Sequence, residues 1–418
     1  MATTAKQNIN RAPKGSRMDN GVEILRNPKV APQKKKKERK GLAALFYPHG
    51  SMDYVFIIIL IALCVFGIVM MYSASYMWAL EDHNDASYYL KTQLVAAGLG
   101  VVAMLFISCL DYRILKNRTL IYAAFIATSV LMLYTSLFGI ERNGAKRWLD
   151  LKVIEFQPSE IMKFMLVVTF AYLIASNFKK FSSMWYSVFP FAAVLMIVCI
   201  LMATQRHISG LMIMGAIGVS MMIVGGIPNK HIIRLAVIII VVGAVGIGLL
   251  ALTGKFNYIA TRVENWRDPF KDVQNTGWQT CQSLIAIGSG GISGVGFGQS
   301  KQKFLYLSES HNDFIFAIVC EELGLLGAGI VILLFVLFVF RGFHIAAHAP
   351  DKFGMMLVFG LTMQIAIQAF LNIAVACNAL PNTGVSLPFF SYGGTALVMQ
   401  LAQMGLILAV SRHSETSE

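Results

Sequence analysis

Apolar residues run through this chain in blocks of about twenty, and most of the polar residues fall between the blocks. A helix rising 1.5 Å per residue needs ~20 mostly apolar residues to cross a hydrocarbon core ~30 Å thick. Ten stretches reach that length: roughly 54 to 76, 89 to 110, 119 to 140, 160 to 177, 185 to 204, 208 to 227, 232 to 253, 312 to 340, 353 to 377 and 395 to 411. The pattern predicts an all-α, polytopic integral membrane protein with ten transmembrane helices. Almost nothing is left for a soluble domain.

The polar intervals are not alike. The one between the seventh and eighth spans, Gly254 to His311, is far longer than a connector needs and holds "RVENWRDPF", "GWQTCQS" and "GSGGISGVGFGQS". Long structured loops usually carry function. No strand precedes its glycine run, so a nucleotide-binding loop is set aside; the expectation is a backbone that closely approaches the membrane surface or a lipid head group. A second interval, "LPNTGVSLPFFSYGGTAL" (Leu380 to Leu397), places Pro381, Pro388 and paired glycines where a helix must break. That fits a re-entrant or interfacial loop sheltered by protein.

Composition agrees, with 56% hydrophobic and 14% charged residues and a mean hydropathy of +0.63. Charge adds orientation. Of the net +13, residues 1 to 47 supply +9, from twelve Lys/Arg against Asp19, Glu23 and Glu38. This tail, ending in "KKKKERK", lacks apolar periodicity and is expected to be disordered. A basic run before a first span marks the cytoplasmic side, with weak attraction to anionic lipid, and is not read as a nucleic-acid site. The polar lead and the length of the first apolar run argue against a cleavable signal peptide. With both termini inside, the inner loops carry Arg113, Lys116, Arg118, Lys179, Lys180, Lys230, Arg234, Arg341 and Lys352, while the first outer loop, "EDHND", is acidic. The expected organisation is a cytoplasmic tail (1–47), a ten-span membrane unit (48–412, with 254–311 outside) and a short cytoplasmic end (413–418). One outer loop breaks the charge rule: "ERNGAKRWLDLKVIEFQPSE", Glu141 to Glu160, is basic, which suggests an anionic partner there.

Six scattered cysteines without CxxC spacing predict neither disulfide nor metal site. Candidate chemistry lies in acids at span ends. Asp313 opens the eighth span, and Glu309, four residues earlier, would share its face on a continuous helix while His311 points elsewhere. Helix capping, worth ~0.3 to 1 kcal/mol, explains Asp313 as readily. Glu160 and Lys163 stand at i, i+3 at the start of the fourth span, either as a self-neutralising pair or with Lys163 holding a phosphate. Arg142, Lys146 and Arg147 add positive charge in the same loop, and arginine suits bidentate phosphate contact. Glu321 and Glu322 serve a proton path or a buried network with Gln364, Gln368 or Asn372, the structural role being favoured.

These motifs, "GAKRW", "QPSEIMK", "GWQTCQSLIAIGSGGISGVGFGQSKQKFLYLSESHNDFIFAIVCEELGLLG" and "LPNTGVSLPFFSYGGTAL", resemble in order those of the SEDS family of membrane glycosyltransferases (FtsW, RodA, SpoVE), across Tyr54 to Ser411. The resemblance implies polymerisation of lipid II, an undecaprenyl-diphosphate-linked disaccharide pentapeptide, into peptidoglycan strands on the outer face of the bacterial cytoplasmic membrane. It implies Asp313 as the essential acid of a motif usually written "HTDF", Arg147 as the arginine of "RW", and Glu160 and Lys163 as the "QPxExxK" pair. Ser308 and Asn312 replace the common Pro and Thr, and "QRHISG" (Gln205 to Gly210) stands where many members have "PD", so no chemistry is assigned to that turn. "MMYSASY", "SKQKFLYL" and the basic tail look more like FtsW or SpoVE than RodA, and the division-type FtsW branch is the expected one.

On this resemblance Asp313 is the expected general base with Glu309 orienting it, and Arg147, Lys146, Lys163, Glu160 and His311 contact the substrate or its diphosphate. A lipid II flippase and a non-catalytic scaffold remain the alternatives. No cofactor is expected, although a divalent cation bridging diphosphate and Asp313 stays open. The implied partners are a class B penicillin-binding protein transpeptidase and other divisome proteins at the division septum.

Overall fold

The computed structural model describes residues 50–142, 145–150, 155–205, 207–237, 266–273 and 277–414. The basic tail, most of the predicted seventh span and the first part of the long connector lie outside the described residues.

The helices are α1 (Tyr54–His83), α2 (Tyr88–Ser108), α3 (Arg118–Phe138), α4 (Pro158–Asn177), α5 (Met184–Ser187), α6 (Phe189–Thr204), α7 (Ile208–Val224), α8 (Trp278–Gly290), α9 (Ile315–Ala347), α10 (Lys352–Ala376) and α11 (Gly394–Ser411). Eight segments among the described residues are long and apolar enough to cross a membrane, α5 and α6 together forming one of them. The 17-residue α7 matches the predicted sixth span, and the predicted seventh begins as helix at 229–237 before the description stops. The chain is a multi-pass membrane protein.

Helix α2 packs most extensively on α11, α9 on α10, α8 and α1, and α10 also on α4 and α7. Helices α4, α10 and α11 are the most enclosed, whereas α2 and α3 turn most of their apolar surface outward. Polar side chains pin one end of the bundle. Asp53 caps α1 through Phe56 N at 2.9 Å and takes both carboxylate contacts of Arg341 Nε at 2.9 Å. Asp351 caps α10 through Gly354 N and accepts the Tyr112 hydroxyl, each at 2.9 Å. Such caps satisfy helix-end N–H groups that lipid cannot.

Two intervals depart from expectation. The basic connector folds into an antiparallel meander, β1 (Ile140–Arg142), β2 (Ala145–Asp150) and β3 (Glu155–Phe156), in the order β1-β2-β3. Ile140 faces Trp148 and Leu149 faces Phe156. Strands this short carry too little alternation to be read from sequence.

The glycine run, in turn, approaches another backbone. Inside α9, Gly324 leaves helical geometry at φ 65, ψ −162, which orphans main-chain groups on both sides of the break. Val295 N and Gly296 N donate to the Glu321 and Glu322 carbonyls at 3.0 and 3.1 Å, while Leu325 N and Leu326 N donate to the Gly291 and Ile292 carbonyls at 3.0 and 3.2 Å. The run thus completes a hydrogen-bond ladder that α9 cannot complete alone. A Cβ at Gly294 would collide with the Glu322 carbonyl oxygen, and φ there is +79; only glycine meets both conditions.

Candidate active site

Residues 301–314 form successive turns, and α9 begins only at Ile315. Its N-cap is Phe314, without a side-chain cap bond. Asp313 is therefore not a cap, and Glu309 and Asp313 do not share a helical face. Glu309 instead sits at φ 59, a left-handed conformation that costs a non-glycine residue of order 1–3 kcal/mol. The resulting turn brings Asn312 N and Phe314 N onto the Glu309 carbonyl at 3.0 and 3.3 Å.

Neighbouring elements clamp the main chain here. Asn372 Nδ2, on α10, donates to the carbonyls of Asp313 and Val385, both at 2.7 Å. Ser391 Oγ donates to the Asn312 carbonyl at 2.6 Å, Tyr392 N to the His311 carbonyl at 2.9 Å, and Ser310 Oγ to the Ala74 carbonyl at 3.1 Å. The interval "LPNTGVSLPFFSYGG" is thus sheltered by protein, as expected, with Phe389 and Phe390 buried. No donor among the described residues reaches the Asp313 carboxylate. Burial, reinforced by the Glu309 charge and partly opposed by Arg147, pushes its pKa up to about 7.

Beside Asp313 opens a small cleft of about 50 Å³. Gln157, Glu160 and Lys163 line it from the start of α4, His207, Ser209 and Ile213 from α7 and its preceding turn, Gln368 from α10, and Gly384, Val385 and Ser386 from the sheltered loop. The wall meets Asp313 at Gly384, where a Cβ would stand 3.3 Å from Asp313 Oδ2. Pro158 occupies the first turn of α4, where its missing N–H costs nothing, and this fixes the start of the helix at the cavity. Lys163 Nζ lies 2.8 Å from Glu160 Oε2 and donates to Gln368 Oε1 at 3.0 Å. Gln368 Nε2 in turn holds the Ser386 carbonyl at 3.1 Å.

Arg147, on β2, donates from Nε to the Gln205 carbonyl at 3.4 Å, and its charge reaches both Asp313 and His207. Lys146 turns the other way, as alternation along a strand requires, and its Nζ donates to the Leu137 carbonyl at 3.1 Å. His311 lies among rings: Tyr89 stacks on it at 5.0 Å, with Trp78 at 6.2 Å and Tyr392 at 6.0 Å. Burial holds its pKa below the ordinary histidine value. Of the expected residues, Glu160 and Lys163 line the cavity and Asp313 borders it at Gly384; Glu309 and Arg147 act on Asp313 through their charge from off the wall, and Lys146 and His311 also lie off it.

Glu321 and Glu322 belong to a separate assembly. Glu322 accepts Ser73 Oγ at 2.7 and 2.8 Å and pairs with Lys303 Nζ at 3.0 Å. Glu321 accepts Lys301 N at 2.9 Å and the Ser300 hydroxyl. The structural reading of these acids holds, but their partners are Ser73, Ser300 and Lys303. The amides Gln364, Gln368 and Asn372 bond elsewhere.

Sequence reasoning did not single out His207, Ser209, Gly384 or Ser386. The "QRHISG" turn and "PNTGVS" were visible, but nothing local says that α4 and α10 bring them together. Among the described residues no group of three or more His, Cys, Asp or Glu side chains is arranged to hold a metal ion.

A multi-pass bundle with a loop sheltered among its helices and an acid bordering a polar cavity defines a class of membrane protein, and comparison supplies the family. Residues 53–416 match the cell cycle protein family of FtsW, RodA and SpoVE, and the chain belongs to it. Stage V sporulation protein E of Bacillus subtilis is 36% identical over 87% of this chain and 98% of its own length. A protein of Geobacter sulfurreducens named "Probable peptidoglycan glycosyltransferase FtsW" is 34% identical, covering 86% of this chain and 95% of that protein. Among solved structures, a peptidoglycan synthase complex that coordinates polymerization and crosslinking matches with a TM-score of 0.70 at 26% identity, over 88% of this chain and 99% of the other. The rod shape determining protein RodA of Thermus thermophilus matches with a TM-score of 0.64 at 25% identity, over 88% and 98%.

Proposed function

We propose that this chain is a peptidoglycan glycosyltransferase that polymerises lipid II, with Asp313 as general base and Arg147 and Lys163 as the cations facing the diphosphate. The observation that carries the site assignment is the clamped Asp313, its carboxylate unbonded among the described residues, beside a cavity that holds Lys163 and lies within reach of the Arg147 charge. A sugar hydroxyl is a poor nucleophile at neutral pH. A carboxylate with a pKa near 7 accepts its proton as the new bond forms, typically giving ~10² to 10⁴-fold. The bond from the anomeric carbon to the diphosphate breaks as the glycosidic bond forms, and fixed cations stabilise the departing charge without reorganising. One displacement inverts the anomeric centre, so an α-linked donor gives a β-linked strand. A retaining mechanism needs a second free acid ~5 Å away, whereas Glu309 Oε2 is engaged by Asn312 Nδ2 at 2.6 Å. Glu309 tunes and orients Asp313, Glu160 fixes Lys163, and His311 positions the turn.

In this reading the cavity faces the outer side of the cytoplasmic membrane at the division septum, and both termini are cytoplasmic. A class B penicillin-binding protein supplies transpeptidation, as the synthase complex that this chain resembles suggests. The flippase alternative leaned on intramembrane Glu321 and Glu322, and their engagement with Ser73, Ser300 and Lys303 removes that support.

The test incubates purified protein and its transpeptidase partner with labelled lipid II and reads glycan strands on gels. Strands from wild type and none from Asp313→Ala are expected. Equal strands from both overturn the base assignment, and no strands from either alongside transbilayer lipid movement restore the flippase.

A further inference from the structure

His207 stands in the cavity without a role in the reaction described above. It precedes α7 as its N-cap residue, yet its side chain makes no cap bond, so the imidazole is not spent on the helix end. The backbone fixes it, with His207 N donating to the Met202 carbonyl at 2.9 Å. Gly210 leaves room for the ring, since a Cβ there would come within 2.5 Å of His207 Cδ2. Ser209 Oγ lies 3.5 Å from Nδ1, and both residues line the cavity with Lys163 and Glu160.

The charged groups around it come from two other elements: Arg147 from β2, and Lys163, paired with Glu160, from α4. Burial and these two cations together push the His207 pKa down to about 3, so the imidazole is neutral in the empty cavity. A diphosphate placed between Arg147 and Lys163 opposes both causes: its negative charge offsets the two cations, and an anion in contact with the ring favours the protonated form against burial.

We propose that His207 is a third diphosphate ligand, neutral while the cavity is empty and protonated once the diphosphate is bound. This rests on the reading that Arg147 and Lys163 face the diphosphate. No covalent step is involved: one proton passes from solvent to the imidazole on binding and returns when the diphosphate product leaves. Binding then draws on two permanent cations and one conditional cation. The conditional charge avoids adding a further positive charge to the empty cavity.

The test is calorimetric. Farnesyl diphosphate, the probe, is titrated into the detergent-purified full chain between pH 5.5 and 7.5, in buffers of different ionisation enthalpy, so that proton uptake is counted directly. His207→Gln keeps a hydrogen-bonding amide of similar size and cannot titrate; His207→Asn provides a second such variant, and monodisperse elution establishes that each is folded. The expected result is that wild type takes up close to one proton more per diphosphate than either variant. Its affinity should also rise more steeply as pH falls, by up to ~tenfold per pH unit relative to the variants. Protons taken up by Asp313 or released by the probe are common to all three proteins and cancel in that difference. Equal proton uptake by wild type and both variants overturns the proposal. A Lys163→Met control separates the two layers: loss of probe binding supports the underlying diphosphate site, and unchanged binding overturns that site and this proposal together.

Discussion

Asp313 and Glu322 stand nine positions apart along one segment of chain, and their surroundings are opposite. Glu322 is wrapped by Ser73, Lys303 and the Ser300 N–H. Asp313 has its main chain clamped and its carboxylate unbonded among the described residues. A carboxylate whose oxygens are held by donors has none to spare for a substrate, whereas one deprived of them carries a raised pKa and keeps its basicity for a substrate. The glutamates build the platform, and the aspartate uses it.

The comparison can be broken by mutation. Asp313→Asn should cost ~10² to 10⁴-fold in polymerisation with the thermal midpoint in detergent unchanged. Glu322→Ala should do the reverse in kind: stranding Lys303 costs ~3–5 kcal/mol of stability, seen as a lowered midpoint, with activity falling only as folded protein is lost. Comparable destabilisation by the two variants would erase the distinction.

Smaller changes sharpen it. Gly294→Ala forces a side chain into a left-handed position and against the Glu322 carbonyl, so a loss of order 1–3 kcal/mol from strain alone is expected by thermal unfolding. The pH profile follows from Asp313 acting in its deprotonated form. Activity should rise with pH and reach half its plateau near the pKa of about 7. Glu309→Gln removes a charge that raises that pKa, so the acid limb moves to lower pH. Arg147→Gln removes one that lowers it and moves the limb up, with a reduced plateau. Lys146→Ala should change activity least, because its ammonium bonds the end of α3 and not the cavity; a loss comparable to that of Arg147→Gln would refute this placement.

The spans were legible because lipid demands a long apolar run whatever surrounds it. Asp313, Glu160 and Lys163 were legible because charges at span ends are costly enough to stand out. Partnerships were not. Glu321 and Glu322 were matched with amides of α10, when the donors came from the connector immediately before α9 and from α1. The break at Gly324 is invisible in an unbroken apolar pattern, and the glycine run reads as solvent or lipid contact until its hydrogen bonds are traced. His207 lay in a turn that carried no expected chemistry; its significance comes from β2 and α4, distant in sequence. Lys146 and Arg147 are adjacent basic residues, and only the strand assigns them to opposite sides.

The interruption at Gly324 also bears on how the chain enters a membrane. The continuous helix beyond it, 325–347, is roughly 34 Å long at 1.5 Å per residue, enough to cross the hydrocarbon alone. The stub before it, carrying Glu321 and Glu322, need not partition as part of that span, so the insertion machinery avoids about 2.5–3.5 kcal/mol for each acid placed at a helix centre. Because residues 291–303 are synthesised before the stub, the hydrogen-bond donors of Glu321 and the Lys303 cation that pairs with Glu322 precede both acids out of the ribosome. Order of synthesis thereby supplies each buried acid with its partner in advance.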